Sequence, residues 1–157
     1  MRLTRFTDYS LRVLIYLGLN GSETSEVGCS QGGRATIREI SEAYSISRNH
    51  LMKVVSNLTR MGYINARRGP GGGITLARSA SEINLARVVQ DTEDDMNLVE
   101  CFCGPDQCII QPVCQLRKAL NEALEAYLKT LRDYSLQDLL KPADDLIPLL
   151  GLGEQAS

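Results

Sequence analysis

The chain has 157 residues, 43% of them hydrophobic and 23% charged, with a formal net charge of -2 at pH 7. That length suits one compact domain, or a small domain with an appended segment. The most apolar run, residues 11–19 (LRVLIYLGL), contains Arg12 and falls far short of the ~20 residues a spanning helix needs, and no small-residue cleavage site follows a cationic start, so a cytoplasmic protein with no membrane partner is expected.

Taken in chain order, a first helix is expected with Thr7 as its N-cap and Asp8 in its first turn, where a carboxylate favours the positive end of the helix dipole. It runs through YSLRVLIYLGL, apolar almost all round and therefore buried. Residues 20–34 (NGSETSEVGCSQGGR) show no periodicity and read as a mobile surface loop in which Cys29 is an incidental thiol. Thr36-Ile37-Arg38-Glu39 has the Thr-x-x-Glu form of a capping box, so a second helix starts there, buries Ile37, Ile40 and Ala43, and ends near Tyr44. Beyond Ser45-Ile46-Ser47, with Ser47 as cap, residues 48–61 place Leu51, Val54, Val55, Leu58 and Met61 at helical spacing. Two helices joined by so tight a turn predict a helix-turn-helix.

After Gly62 the period changes to two. Residues 63–67 and 74–78 read as strands joined by Arg68-Gly69-Pro70-Gly71-Gly72-Gly73, a hairpin that in this position is a wing. Asn84 can cap a short helix from Leu85 to about Thr92, and an acidic stretch, Asp91 to Glu100, leads into CFCGPDQCIIQPVC at residues 101–114. From Cys114 to Tyr134 a long helix is predicted, with Leu116, Leu120, Leu124, Tyr127, Leu128 and Leu131 on one side. Little chain remains to cover that stripe, which favours a dimer seam over core. Ser135 is expected to cap a last short helix, and the tail after Pro142 to be loosely ordered. The fold class expected is mainly α with a small β-hairpin: a winged helix-turn-helix over residues 1–78, then residues 79–157 with a long C-terminal helix for dimerisation and a flexible tail.

Divided at residue 78, the near-neutral charge resolves into two parts. Residues 1–78 carry 11 Lys and Arg against 5 Asp and Glu, net +6, whereas residues 79–157 carry 6 against 14, net -8. A basic head on an acidic protein is the electrostatic footprint of a partner with a phosphate backbone. Arg48, Asn49, His50 and Lys53 on the first turns of the second helix of the pair are the side chains that reach base edges and phosphates when a helix N-terminus enters a major groove. Arg67 and Arg68 flank the wing; Arg68 suits a minor groove, and the backbone N–H groups at Gly71 suit phosphate. No Gly-Lys-Ser/Thr follows the glycines, so this is not a phosphate loop of an NTPase.

Four of the five cysteines lie in residues 101–114, with one, four and five residues between them. Structural zinc prefers paired Cys-x2-4-Cys knuckles, which this spacing meets only once, at the edge of the range. A wider object such as an iron–sulfur cluster suits the intervals, a zinc clip is the second reading and a thiol switch the third. His50 is the only histidine and lies far along the chain from these thiols. With no Cys-His dyad, phosphate loop or paired-carboxylate cleft in evidence, an enzyme is not expected.

The opening MRLTRFTDYSLRVLIYL, the helix-turn-helix ending SISRNHLMKVVSNLTRMGYI, the wing RRGPGGGITLAR, and NLVECF with CIIQPVCQL resemble the Rrf-type winged-helix regulators over about residues 1–140. FTDYSLR and the LVECF and CIIQPVC motifs are most similar to the nitric-oxide-sensing branch of that family. The resemblance implies a homodimeric repressor on a palindromic operator in double-stranded DNA, which it releases when an iron–sulfur cluster is nitrosylated. It implies a cluster of the 4Fe–4S type, with 2Fe–2S the alternative, held by Cys101, Cys108 and Cys114 and by Asp8 of the partner subunit. Cys103 stands outside the family's three-cysteine pattern. An iron or iron–sulfur-supply regulator of the same family, and a zinc-clipped interaction module, are the competing expectations.

Overall fold

A computed structural model describes residues 2–20, 33–104 and 108–152. The expected loop at 20–34 and Cys29 lie almost wholly outside those residues. Its two described ends meet where Asn20 Nδ2 donates to the Arg34 carbonyl at 2.7 Å.

The first helix, α1, spans Arg5–Leu19 and begins earlier than the sequence suggests. Its N-cap is Thr4, whose Oγ1 accepts the Thr7 N–H at 3.2 Å, while Thr7 itself is fully buried inside the helix. Thr4 takes the cap because it is held from outside the helix: Glu93 Oε1 accepts its backbone N–H at 2.9 Å and its hydroxyl at 3.1 Å. Helix α2, Ile37–Tyr44, has the capping box in full, Thr36 Oγ1 accepting the Glu39 N–H at 3.2 Å and Glu39 Oε2 accepting the Thr36 N–H at 2.6 Å. Thr36→Ala is therefore expected to cost about 1 kcal/mol, read as a lower midpoint in urea unfolding. An unchanged midpoint would show that the box adds nothing here.

Helix α3, Arg48–Arg60, buries Leu51, Val54, Val55 and Leu58 as the spacing predicts. Ser47 occupies its N-cap position but makes no side-chain bond, contrary to expectation. Residues 48–50 are exposed, so water can satisfy the free amides of that turn. Strands β1 (Ile64–Arg67) and β2 (Gly73–Leu76) pair antiparallel, from Ile64 opposite Leu76 to Arg67 opposite Gly73, and Ala35 adds a bridge to Ile74.

Asn84 caps α4, Leu85–Thr92, accepting the Arg87 N–H at 3.3 Å, and its amide also donates to the Arg132 carbonyl. Helix α5 spans Gln115–Arg132 and α6 spans Leu136–Leu139, where Ser135 and Asp138 form the predicted cap. The chain after Pro142 is not loose: Ala143–Leu149 forms α7, with Ala143 buried and Leu146 and Ile147 packed on the core. An apolar stripe at helical spacing ties it down, and Pro148 near its end did not prevent the helix. Residues 153–157 lie outside those described.

One core joins these elements, built from Val13, Leu14 and Leu17 of α1, Leu51, Val54 and Leu58 of α3, the wing's Ile64 and Ile74, and Val88 and Leu136 beyond it. The stripe on α5 splits within the chain. Leu124 and Leu128 are buried, Leu120, Tyr127 and Leu131 half-buried, and Leu116 is 65% exposed. No described helix is long and apolar enough to cross a membrane.

Candidate nucleic-acid interface and cluster site

Helices α2 and α3 and the wing enclose an open cleft of about 880 Å³ lined by Arg38, Arg48, Asn49, Met52, Ser56, Arg67 and Arg68 among others. Four of the residues singled out from sequence, Arg48, Asn49, Arg67 and Arg68, come together here. His50 instead turns toward α1, its ring 6.1 Å from that of Tyr9, and Lys53 is exposed on α3 without lining the cleft. Sequence reasoning passed over Met52 and Ser56, although their spacing of four from Arg48 marks one face of a helix. It also passed over Arg38.

Glu42 holds two arginines of this face, Arg38 at 2.8 Å and Arg48 at 3.8 Å. All three side chains are more than half exposed, so these pairs are weak and their cations can exchange onto phosphate at little cost.

The wing tip is shaped by close approach. A Cβ on Gly72 would lie 2.4 Å from the Arg67 carbonyl oxygen and 2.8 Å from that of Gly69, to which Gly72 N–H donates at 2.8 Å. Gly71, with φ +72, gives its carbonyl to Arg34 Nη1 at 2.5 Å. Arg34, another residue the sequence did not single out, thus straps the chain before α2 across the wing and adds a third arginine to it.

The cysteines sit on a loop of short 3-10 turns, Glu100–Phe102 and Gln111–Val113, that ends at α5. Cys101 and Cys114 are half-buried, Cys103 and Cys108 exposed. The two arms are tied by Gln111 Nε2, which donates to the Gly104 carbonyl at 3.2 Å, while Gln111 Oε1 is buried with no partner among the described residues. Cys114 is the N-cap of α5: its Sγ accepts the Arg117 N–H at 3.4 Å, and the Arg117 guanidinium lies 5.8 Å over the Phe102 ring.

Among the described residues no three His, Cys, Asp or Glu side chains are grouped to hold a single metal ion. The donor set of soft sulfurs from one loop, backed by a helix N-terminus, fits an iron–sulfur cluster better than a lone hard ion. Asp8 is not part of the loop. Its carboxylate is held by Arg12, with Nη2 at 2.9 Å from Oδ2 and Nε at 3.1 Å from Oδ1, and both side chains are close to half exposed. Arg12 in turn lies 5.8 Å over the ring of Tyr44, whose hydroxyl is pushed up to about 12 by burial.

Comparison with known proteins places these features. The family profile described as "Rrf2: Iron-dependent Transcriptional regulator" matches residues 3–142. The chain is 48% identical over 155 residues to the HTH-type transcriptional regulator NsrR of Bacillus subtilis, covering 98% of this chain and all of that one. Among solved structures, T. potens IscR superposes with a TM-score of 0.69 at 17% identity, covering 93% of this chain and 90% of that one. CymR, the global cysteine regulator of B. subtilis, gives 0.67 at 20% identity, covering 88% and 95%. The fold is the winged helix-turn-helix expected from the sequence, and the relatives are named as regulators, not enzymes.

Proposed function

This chain belongs to the Rrf2 family of transcriptional regulators, and from that premise we propose that it is a cytoplasmic, homodimeric repressor that releases a palindromic operator in response to nitric oxide, through an iron–sulfur cluster of the 4Fe–4S type. The observation that carries this reading is the presence, in one chain, of a cleft lined by Arg38, Arg48, Arg67 and Arg68 and a loop bearing four free thiols at the head of α5. In this reading residues 1–78 read DNA and residues 79–157 sense and dimerise. Arg48 and Asn49 face the major groove and Arg67 and Arg68 the wing's phosphates and minor groove, while His50, Lys53 and Gly71 lie at the margins of the contact.

Cys101, Cys108 and Cys114 would hold the cluster, with Asp8 of the partner subunit supplying the fourth ligand. When bound, the cluster supplies iron, to which nitric oxide binds strongly. Ile109, Ile110, Val113 and Leu116, exposed by 56 to 98%, form the apolar surface beside the thiols that a second copy would cover. To act as a ligand Asp8 must leave Arg12, an exchange that costs little because such an exposed i,i+4 pair contributes only ~0.3–0.5 kcal/mol. With Asp8 on Arg12 the first turn of α1 lies beside the Tyr9 and His50 rings at the head of α3, so a change of partner at Asp8 would be felt by the DNA-reading helix.

The test is analysis of protein purified without oxygen, followed by titration with nitric oxide while operator binding is monitored. About four irons and four sulfides per chain, with operator affinity lost as the cluster is lost, is the expected result. A family described as iron-dependent favours a second reading, an iron or iron–sulfur-supply regulator. Operator binding that survives nitric oxide but fails on iron limitation selects that reading, and zinc in place of iron removes both. Asp8→Ala is expected to keep iron on the three thiols but to lose nitric-oxide-dependent release; full release in that variant would show that Asp8 is not the link.

A further inference from the structure

The wing has two roots, and both converge on one buried tyrosine. Tyr63 lies between α3 and β1 and is 3% exposed. Its carbonyl accepts the N–H of Ala77, just past β2, at 2.9 Å. Arg78, the next residue, lays its guanidinium 5.4 Å from the Tyr63 ring centre and donates through Nε to the Gly62 carbonyl at 3.2 Å.

From this node a single strong bond runs to α4. The Tyr63 hydroxyl donates to Asp91 Oδ2 at 2.7 Å, and Arg87 Nε holds the same oxygen at 3.1 Å. Burial and the Asp91 carboxylate together hold the phenol well above its usual range, so it stays a donor. Two residues on, Glu93, the C-cap of α4, accepts both the N–H and the hydroxyl of Thr4, the N-cap of α1. The chain then runs directly through residues 94–100 to Cys101. One turn of helix therefore grips the wing through Asp91 and the start of α1 through Glu93, and is itself the anchor of the cysteine loop.

We infer that the last turn of α4 is the joint through which the cysteine loop sets the wing, with Tyr63 and Asp91 as its positioning residues. Packing alone would be served as well by phenylalanine at 63. A buried hydroxyl is costly unless bonded, and this one is bonded across 28 residues to the element that leads into the loop. The joint is a contiguous run of hydrogen bonds from the wing to α1, the kind of network that carries coupling between two sites. This inference rests on the reading of the loop as the sensor.

The experiment compares the operator affinity of cluster-loaded and cluster-free protein, as a ratio, in unsubstituted chain, Tyr63→Phe and Asp91→Asn. Tyr63→Phe keeps the ring and is expected to bind operator within about two-fold when loaded, while its ratio falls about five-fold toward one. Asp91→Asn retains an acceptor for the hydroxyl and is expected to keep the ratio. In cluster-free protein, hydrogen exchange at the Ala77 amide should rise several-fold in Tyr63→Phe and not in Asp91→Asn. A ratio well above one that Tyr63→Phe leaves unchanged overturns the joint alone. A ratio of one in the unsubstituted protein overturns the sensor reading, and this inference with it.

Discussion

Cys108→Ala is expected to leave a folded protein that holds essentially no iron. The Cys108 side chain is exposed, so its removal opens no cavity and breaks no packing. What it removes is a soft donor from the middle of the loop, between the arm that begins at Cys101 and the arm that ends at α5. Cys101→Ala should lose its iron too, with a small further cost in stability because that thiol is half-buried. Cys114→Ser separates two roles: the hydroxyl can still cap α5, so stability should change by no more than ~1 kcal/mol, while iron is lost because a hard oxygen replaces a soft sulfur. Cys103→Ala should keep its iron, since that exposed thiol follows the first 3-10 turn and lies outside the three-cysteine set proposed to hold the cluster. The measurement is iron and acid-labile sulfide per chain without oxygen, with circular dichroism to establish folding. Normal iron in Cys108→Ala, or its loss in Cys103→Ala, would overturn the ligand assignment.

Where the sequence was informative, the interactions were local. The Thr36–Glu39 box and the Asn84 cap each close within three residues, so their spacing is written in the chain. The alternation from helical period to period two likewise marked the wing. What escaped is long-range. Thr4 caps α1 because Glu93, 89 positions away, holds it there, whereas Thr7 looked the better cap on local grounds. Arg34 reaches Gly71 across 37 positions, which no pattern in residues 20–34 announces. The orientation of His50 follows from packing beside Tyr9, not from its place in the first turn of α3. Helix α7 was hidden because Pro148 disguises an otherwise regular stripe. As for the site, residue types and order named the thiols and the basic cleft. Which of the cysteines act together is not written in their spacing, and for that only the resemblance to a family spoke.

Removing the wing's charge and removing its shape should have different signatures, and the difference tests how it meets DNA. Arg67→Ala combined with Arg68→Ala takes two cations from the cleft wall and is expected to lower operator affinity by about 10- to 100-fold at moderate salt. The slope of log affinity against log salt should become shallower by about two, one counterion equivalent for each lost contact. Gly72→Ala leaves every charge in place. Its methyl group, however, would meet backbone oxygens of Arg67 and Gly69 at 2.4 and 2.8 Å, closer than carbon and oxygen can stand, and backbone cannot swing aside as a side-chain end can. The tip must open, and the Arg34 strap on Gly71 beside it must shift. Operator affinity should then fall about ten-fold because the arginines are misplaced, while the melting temperature stays close to that of the unsubstituted protein, since the tip is exposed. Salt titration of operator binding for both variants decides the matter. An unchanged slope in the double variant means that these arginines do not touch phosphate, and full affinity in Gly72→Ala means that the wing's geometry is not part of the contact.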